Sequence, residues 1–318
     1  LSKTKKLSKI NKIKDARLKL GCHVSISPSI IHDLQWGYSI GANAMQIFLG
    51  SKRSSSLKMK TKISDDEILE IRKYIKLHNI TLIVHSILLL NFCTAPSSSG
   101  RVKYMHDNIQ YDFKLGSKLG AKCVVLHLGS RTDLEHDVAM KNLISNIEKI
   151  IKEMPDDMQL SLETSAGQGK QMGYTLEELS QIWQSIKHYG NRNGNRHKKV
   201  GICIDTAHIF VSGYDISTLA GMKNYFDKFN KLIGVNNITN IHLNDSRYPT
   251  GSRKDEHRGI TFGLIFNNPE GMKALKYLRN FCKKHNIPMI LETHSAGFPS
   301  SSEKGHGYEW EINIIRNM

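Results

Sequence analysis

No apolar run in this sequence approaches the roughly 20 residues that a helix needs to cross a bilayer; Ile87 to Leu90 is representative of the longest. A membrane span is excluded. Cysteine is scarce: Cys22, Cys93, Cys123, Cys203 and Cys282 form no C-x-x-C pair, and several sit in apolar runs where a free thiol acts as a small hydrophobe. That excludes a disulfide framework and points to a reducing, intracellular compartment, with nucleus and cytoplasm both open. No apolar h-region follows the N-terminal residues, so an ordinary secretory signal is excluded as well. The chain opens on Leu1 rather than Met, which leaves a longer precursor open. Acidic residues are also short in supply. In 318 residues, 29 Asp and Glu face 45 Lys and Arg, a formal charge of +16 that suggests a polyanionic partner, nucleic acid first. With 39% hydrophobic residues the chain can bury a sizeable core, which excludes disorder over most of its length.

Residues 1–17 read as a basic, solvated arm. Lys3, Lys5, Lys6, Lys9, Lys12, Lys14, Arg17 and the following Lys19 face Asp15 alone; a nuclear address, a DNA tether and mere solubility are all open for it. From Leu18 to Met318 a single catalytic domain is expected. Short β-branched runs there alternate with segments of helical period eight times. The strands are Leu18 to Ile26, Ala44 to Leu49, Thr81 to His85, Cys123 to Leu128, Gln159 to Glu163, Val200 to Asp205, Thr239 to Leu243 and Pro288 to Glu292. Helical stripes such as Ile68, Ile71, Ile75 and Leu77, or Leu143, Ile147, Ile150 and Ile151, face the sheet. Eight strand-then-helix units in about 300 residues predict an α/β fold of the closed (β/α)8 TIM-barrel type. The sixth unit is irregular, with a long loop expected after Asp205 and a helix from Asn224 to Leu232. The basic tract Asn191 to Lys199 is expected as a solvated loop at the N-terminal face.

The strand ends carry the chemistry. The third ends in His85, the fourth reaches His127, the fifth ends in Glu163, the sixth in Asp205, the seventh reaches His242, and the eighth ends in Glu292. Strand ends of a barrel converge on one face, so residues far apart in sequence become neighbours. Three carboxylates buried beside three imidazoles are costly without compensation, and divalent cations are the usual resolution. His208, Asp255 and His257 lie just beyond the strand ends. Nine such side chains suit two or three ions with one carboxylate bridging, and the lack of Cys among them favours catalytic over structural zinc.

Several segments resemble the endonuclease IV family of apurinic/apyrimidinic endonucleases: Gly21 to Ser25, Val125 to Ser130, Leu160 to Gly169, Gly201 to His208, Ile241 to Ser246, Gly251 to His257 and Leu291 to Thr293. The likeness spans about residues 18 to 318. It implies a zinc-dependent hydrolase with three zinc ions, one site of which could take manganese. Such an enzyme cuts the DNA backbone 5′ to an abasic sugar, leaves a 3′-hydroxyl, and in some cases removes 3′-blocking groups. By position, His85, His127 and Glu163 look like the ligands of one zinc. Glu163 would bridge to a second, held by Asp205, His242 and Glu292, and His208, Asp255 and His257 would hold the third. Glu163 and Glu292 are the expected catalytic carboxylates. The partner implied is double-stranded DNA containing abasic sites, base excision repair the setting, and a monomer the expected state.

The sequence departs from the family pattern after His85, where Ser86-Ile87-Leu88-Leu89 replaces an aromatic with Leu88. Leu88 and Leu89 are therefore expected as an aliphatic wedge into DNA, with Arg53 inserted from the loop after the second strand. Ser54 to Ser56 replace a polar-aromatic run there, and Thr261 stands where a Gly is usual. His23 is expected to hydrogen-bond beside the ligands rather than join them, and His294 and His306 to be loop residues. Gly167, Gly169 and Gly173 lack the Lys-Ser/Thr ending of a phosphate-cradling loop. Two other function classes compete: a metal-dependent sugar isomerase or epimerase of the same barrel type, for which His208, Asp255 and His257 would be superfluous, and a noncatalytic DNA-binding protein, which leaves all nine residues unexplained.

Overall fold

The computed structural model describes residues 13, 15–24, 29–50, 62–188, 200–293 and 307–318. Eight parallel strands close into a barrel: β1 (Leu20–His23), β2 (Ala44–Phe48), β3 (Thr81–His85), β4 (Cys123–Leu126), β5 (Gln159–Glu163), β6 (Val200–Asp205), β7 (Ile238–His242) and, after a small hairpin of β8 (Asp245–Ser246) and β9 (His257–Arg258), β10 (Met289–Leu291). The seam is β1 against β10, with Gly21 opposite Ile290. Helices α1 (Ile30–Ser39), α2 (Asp65–Leu77), α3 (Ser99–Leu119), α4 (His136–Glu153), α5 (Leu176–Ile186), α6 (Thr206–Val211), α7 (Leu219–Leu232), α8 (Pro269–His285) and α9 (Tyr308–Arg316) accompany them. The expected TIM barrel is the observed fold. The observed β1, β4 and β10 stop at His23, Leu126 and Leu291, short of the expected strand bounds, and Ser25 and Ile26 of the expected first strand lie outside the described residues. The arm apart from Ile13 and residues 15–17, the 191–199 tract, Arg53, Ser54 to Ser56, His294 and His306 lie outside the described residues.

Local sequence sets each helix. Ser64 and Glu67 cap α2 reciprocally, and three acids in its first turn favour the positive end of the helix dipole. Asn268 caps α8 before Pro269, and Asn286 ends it in the left-handed conformation behind Lys283, Lys284 and His285. Apolar stripes such as Leu143, Ile147, Ile150 and Ile151 of α4 seal the outer layer. In the sixth unit the structure corrects the expectation. A short helix, α6, follows Asp205 at once, because the Asp205 carboxylate accepts the His208 amide and caps it; α7 then begins at Leu219 rather than Asn224.

Inside the barrel a second, smaller core of Ala44, Ile83, Cys123, Val125, Cys203 and Ile290 fills the axis. Strand side chains alternate faces. The residue two positions beyond the last inward residue of each strand therefore stands at the rim, and in this chain that residue is polar on every strand: His23, Gln46, His85, His127, Glu163, Asp205, His242 and Glu292. Register is corrected once. Ile202 pairs with Ile238 but Cys203 with Asn240, so Thr239 is an extra residue in β7, and the bulge brings His242 level with Asp205. A one-residue slip would otherwise turn His242 outward. At the seam Gly21 is required for packing, because a Cβ there would overlap the Ala44 carbonyl. All five cysteines are free and buried, and no helix among the described residues is long and apolar enough to cross a membrane.

Candidate metal centre

The nine expected ligands gather at the C-terminal ends of the strands. Six come from the rim positions of β3 to β7 and β10. His208 comes from α6, while Asp255 and His257 are delivered by the hairpin in which β8 pairs with β9. Buried Asp245 organises that excursion, its carboxylate accepting the amides of Ser246, Thr261, Ile265 and Phe266. Thr261 adopts φ 74° there, the left-handed conformation that suits the Gly it replaces. No simple pattern in the sequence marks this hairpin.

Glu163, 1% exposed, is the hub. One oxygen, Oε2, lies 3.2 Å from His85 Nε2 and 3.3 Å from His127 Nε2; the other, Oε1, lies 2.9 Å from His242 Nδ1 and 3.5 Å from His208 Nδ1. His242 Nδ1 is also 3.1 Å from Glu292 Oε2 and 3.9 Å from Asp205 Oδ2. His257 Nε2 approaches Asp205 Oδ2 at 3.5 Å and Asp255 Oδ1 at 3.3 Å, and His208 Nε2 approaches Asp255 Oδ2 at 3.1 Å. Ligand atoms lie within 4.8 Å of one another in four overlapping sets: His85, His127 and Glu163; Glu163, Asp205, His242 and Glu292; His85, His242 and Glu292; and Asp205, His208 and His257. The first two match groupings expected from the resemblance. In the last, Asp205 stands with His208 and His257, and Asp255 reaches them through its ion pairs.

The imidazoles are aimed. His85 Nδ1–H donates to the Ser86 carbonyl at 2.7 Å and His208 Nδ1–H to the Thr164 carbonyl at 2.8 Å, which turns each Nε2 toward the carboxylates. His257 Nε2 is buried without a hydrogen-bond partner. An orphaned imidazole nitrogen directed at two carboxylates, within a His/Asp/Glu donor set, fits a divalent cation of zinc type.

Charge follows the same plan. Burial alone would raise Glu163, but His127, His242 and His85 around it hold its carboxyl well below the usual range. Burial alone would lower His208, His242 and His257. Asp205 and Asp255 hold His208 well above its ordinary value; Cys203, Glu292 and Glu163 do so for His242; and Asp205 and Asp255 bring His257 to about 9. These carboxylates favour positive charge at the centre, a condition that a divalent cation meets.

Three supporting residues were not singled out from the sequence. Asn244 donates to Asp205 Oδ2 at 2.8 Å and to Glu292 Oε2 at 3.3 Å, and accepts the Glu292 amide. Thr164 Oγ1 accepts the Asp205 amide. Gln46, fully buried, bridges Glu292 and His242. The usable signal was a polar side chain in an otherwise apolar strand, since buried polar residues are the informative exceptions. His23 stands beside the ligands as expected, near Gln46 and 3.7 Å from Glu292. In the loop after β3, buried Ile87 and Leu90 anchor the chain and leave Leu88 and Leu89 46% and 55% exposed on the same rim.

The family model that matches residues 34–318 describes a xylose isomerase-like TIM barrel. Relatives carrying the name endonuclease 4 match along the whole length. One from Acanthamoeba polyphaga mimivirus is 30% identical over 96% of this chain and 95% of that protein, and one from Bacillus subtilis (strain 168) is 31% identical over 94% and 95%. Among solved structures, endonuclease IV from Thermus thermophilus superposes with a TM-score of 0.73 at 22% identity, over 94% of this chain and 98% of that one. A D-tagatose 3-epimerase-like protein superposes at 0.60 with 18% identity, over 86% and 89%. The second likeness shows that this barrel architecture alone does not select a reaction.

Proposed function

Since the chain belongs to the endonuclease IV family, within the xylose isomerase-like TIM barrels, we propose that it is an apurinic/apyrimidinic endonuclease that hydrolyses the DNA backbone 5′ to an abasic sugar and leaves a 3′-hydroxyl. The observation that carries this reading is Glu163, whose two oxygens face two different imidazole sets. Such a carboxylate is placed to bridge two ions. The nine gathered side chains would hold three, zinc first: His85, His127 and Glu163; Glu163, Asp205, His242 and Glu292; and His208, Asp255 and His257. Divalent ions bound there supply Lewis-acid polarisation of a phosphodiester and a nucleophile competent at neutral pH.

The chain's own groups orient this chemistry. The Ser86 and Thr164 carbonyls fix which imidazole nitrogens face the centre. Asn244 holds Asp205 and Glu292 apart at set positions. Leu88 and Leu89, exposed beside the centre, fill the gap left by the missing base, and Arg53 is proposed to join them. An abasic sugar has already lost stacking and pairing, so exposing it costs less than exposing an intact nucleotide. The sugar epimerase alternative is disfavoured by the third set, His208, Asp255 and His257, for which a single-ion reaction has no use.

Zinc titration and incision test the reading together. Purified protein is expected to take up three zinc ions per chain, to cut an abasic duplex, and to leave ketohexoses unchanged. Exchanging Arg53, Leu88 and Leu89 for Ala should impair cutting of abasic duplex far more than of abasic single strand, with zinc unchanged. One ion per chain and sugar turnover would overturn the nuclease reading.

A further inference from the structure

Six of the eight rim positions carry proposed ligands. The other two, His23 and Gln46, are neighbours on β1 and β2, paired across the ladder. Gln46 is fully buried, and its amide is committed on every side. Nε2–H donates to Glu292 Oε1 at 2.6 Å and a second Nε2–H points to His23 Nδ1 at 3.1 Å, while Oε1 accepts from His242 Nε2–H at 2.9 Å. A carboxylate can only accept, so the NH2 must face Glu292 and the oxygen must face His242. An amide oxygen can only accept in turn, so His242 carries its proton on Nε2. With Nε2–H committed to Gln46, Nδ1 is the nitrogen that faces Glu163 and Glu292, and the one that would give up its proton to a cation there. His85 and His208 are set the opposite way, by backbone carbonyls at Nδ1.

We infer that Gln46 is the positioning residue of the second ion site: one amide sets the tautomer of His242 and fixes the rotation of Glu292, so that two of that ion's four proposed ligands are aimed by a single side chain. This rests on the proposed metal reading. The neutral amide is suited to the task because it donates to an anion and accepts from an imidazole at once, which neither a carboxylate nor an ammonium does. Loss of such an outer hydrogen bond ordinarily weakens a metal site about 10–100-fold.

The test uses zinc-loaded, 15N-labelled full chain, with chelator competition for affinity and histidine side-chain NMR for tautomers. In the wild type, the His242 signal, assigned by its loss in His242→Asn, should show the proton on Nε2. Gln46→Met, similar in length and unable to hydrogen-bond, should release one of the three zinc ions about 10–100-fold more readily and lose that Nε2 proton signal, with the other two ions held as before. Gln46→Glu keeps an acceptor for His242 but sets a carboxylate against Glu292. It should retain the Nε2 proton signal and still release one ion more readily, and it decides the matter alone if the Met variant does not fold. Wild-type affinity for all three ions in either variant overturns the role of Gln46 alone. A wild type that takes up no zinc overturns the metal reading and this inference together.

Discussion

At the floor of the barrel, buried and half-buried cations are matched by oxygen. Arg316 of α9 donates to the Gly41 carbonyl at 3.0 Å and Asn43 Oδ1 at 2.9 Å, with Asp15, Leu18 and Leu20 carbonyls at 3.4 to 3.5 Å; Lys19 and Lys122 donate to the carbonyls of Asn79 and Thr239. At the rim, carboxylates and imidazoles face one another across a centre into which a His257 nitrogen without a hydrogen-bond partner points. Both ends bury charge. The floor satisfies most of it with neutral oxygens; the rim leaves it poised for a cation. The difference follows from what each residue is given as a partner, because backbone carbonyls complete a cation's shell while a carboxylate beside an imidazole still attracts one.

Removing the hub of the rim should separate the two ends most sharply. Glu163→Ala is expected to lower incision by more than the roughly 10–100-fold that loss of an outer supporting group costs, and to lower zinc content, while circular dichroism and thermal melting of the metal-free protein stay near wild type. Near-native incision with full zinc would defeat the bridging role. The converse variant acts on the floor. Arg316→Met should cost about 2–4 kcal/mol of stability, since several carbonyls lose their donor, yet leave incision by the folded protein unchanged; urea unfolding and steady-state rates read the two effects apart, and a large fall in kcat would show the ends to be coupled.

The smallest effect belongs to the helix that joins the ends. Glu311 of α9 is fully buried; its Oε1 accepts from Ile260 N–H and Thr293 Oγ1–H, and its Oε2 has no hydrogen-bond partner. Burial pushes its carboxyl from 4.5 to about 7. A folded-state value above the unfolded one means that the stabilisation is fully present below pH 4.5 and is lost as pH rises through 7. Metal-free wild type should therefore lose up to about 2–3 kcal/mol between those limits relative to Glu311→Gln. Thermal melts of both proteins from pH 5.5 to 8 check it, and parallel curves would refute it.

The barrel was legible because its strands are short, β-branched and evenly spaced, and because period-two alternation makes a polar strand end conspicuous. The same reasoning located His85, Glu163, Asp205 and Glu292 at the rim. It failed where structure depends on an exchange between side chain and backbone. Thr206–Val211 reads as a loop in the sequence, yet the Asp205 carboxylate caps it into a helix and so aims His208. Gln46 shows in the sequence only as a polar side chain in the apolar strand Ala-Met-Gln-Ile-Phe, and its role appears once Glu292, 246 residues away, is seen against it. The bulge at Thr239 is likewise invisible in one strand, being a mismatch between two.

Arg316 and Lys283 hold Asp15 at the floor, through its carbonyl and its carboxylate respectively. Asp15 thereby ties the chain just ahead of β1 to both α8 and α9, so the seam between the first and last strands is fastened from below by a clasp of side chains as well as by its ladder.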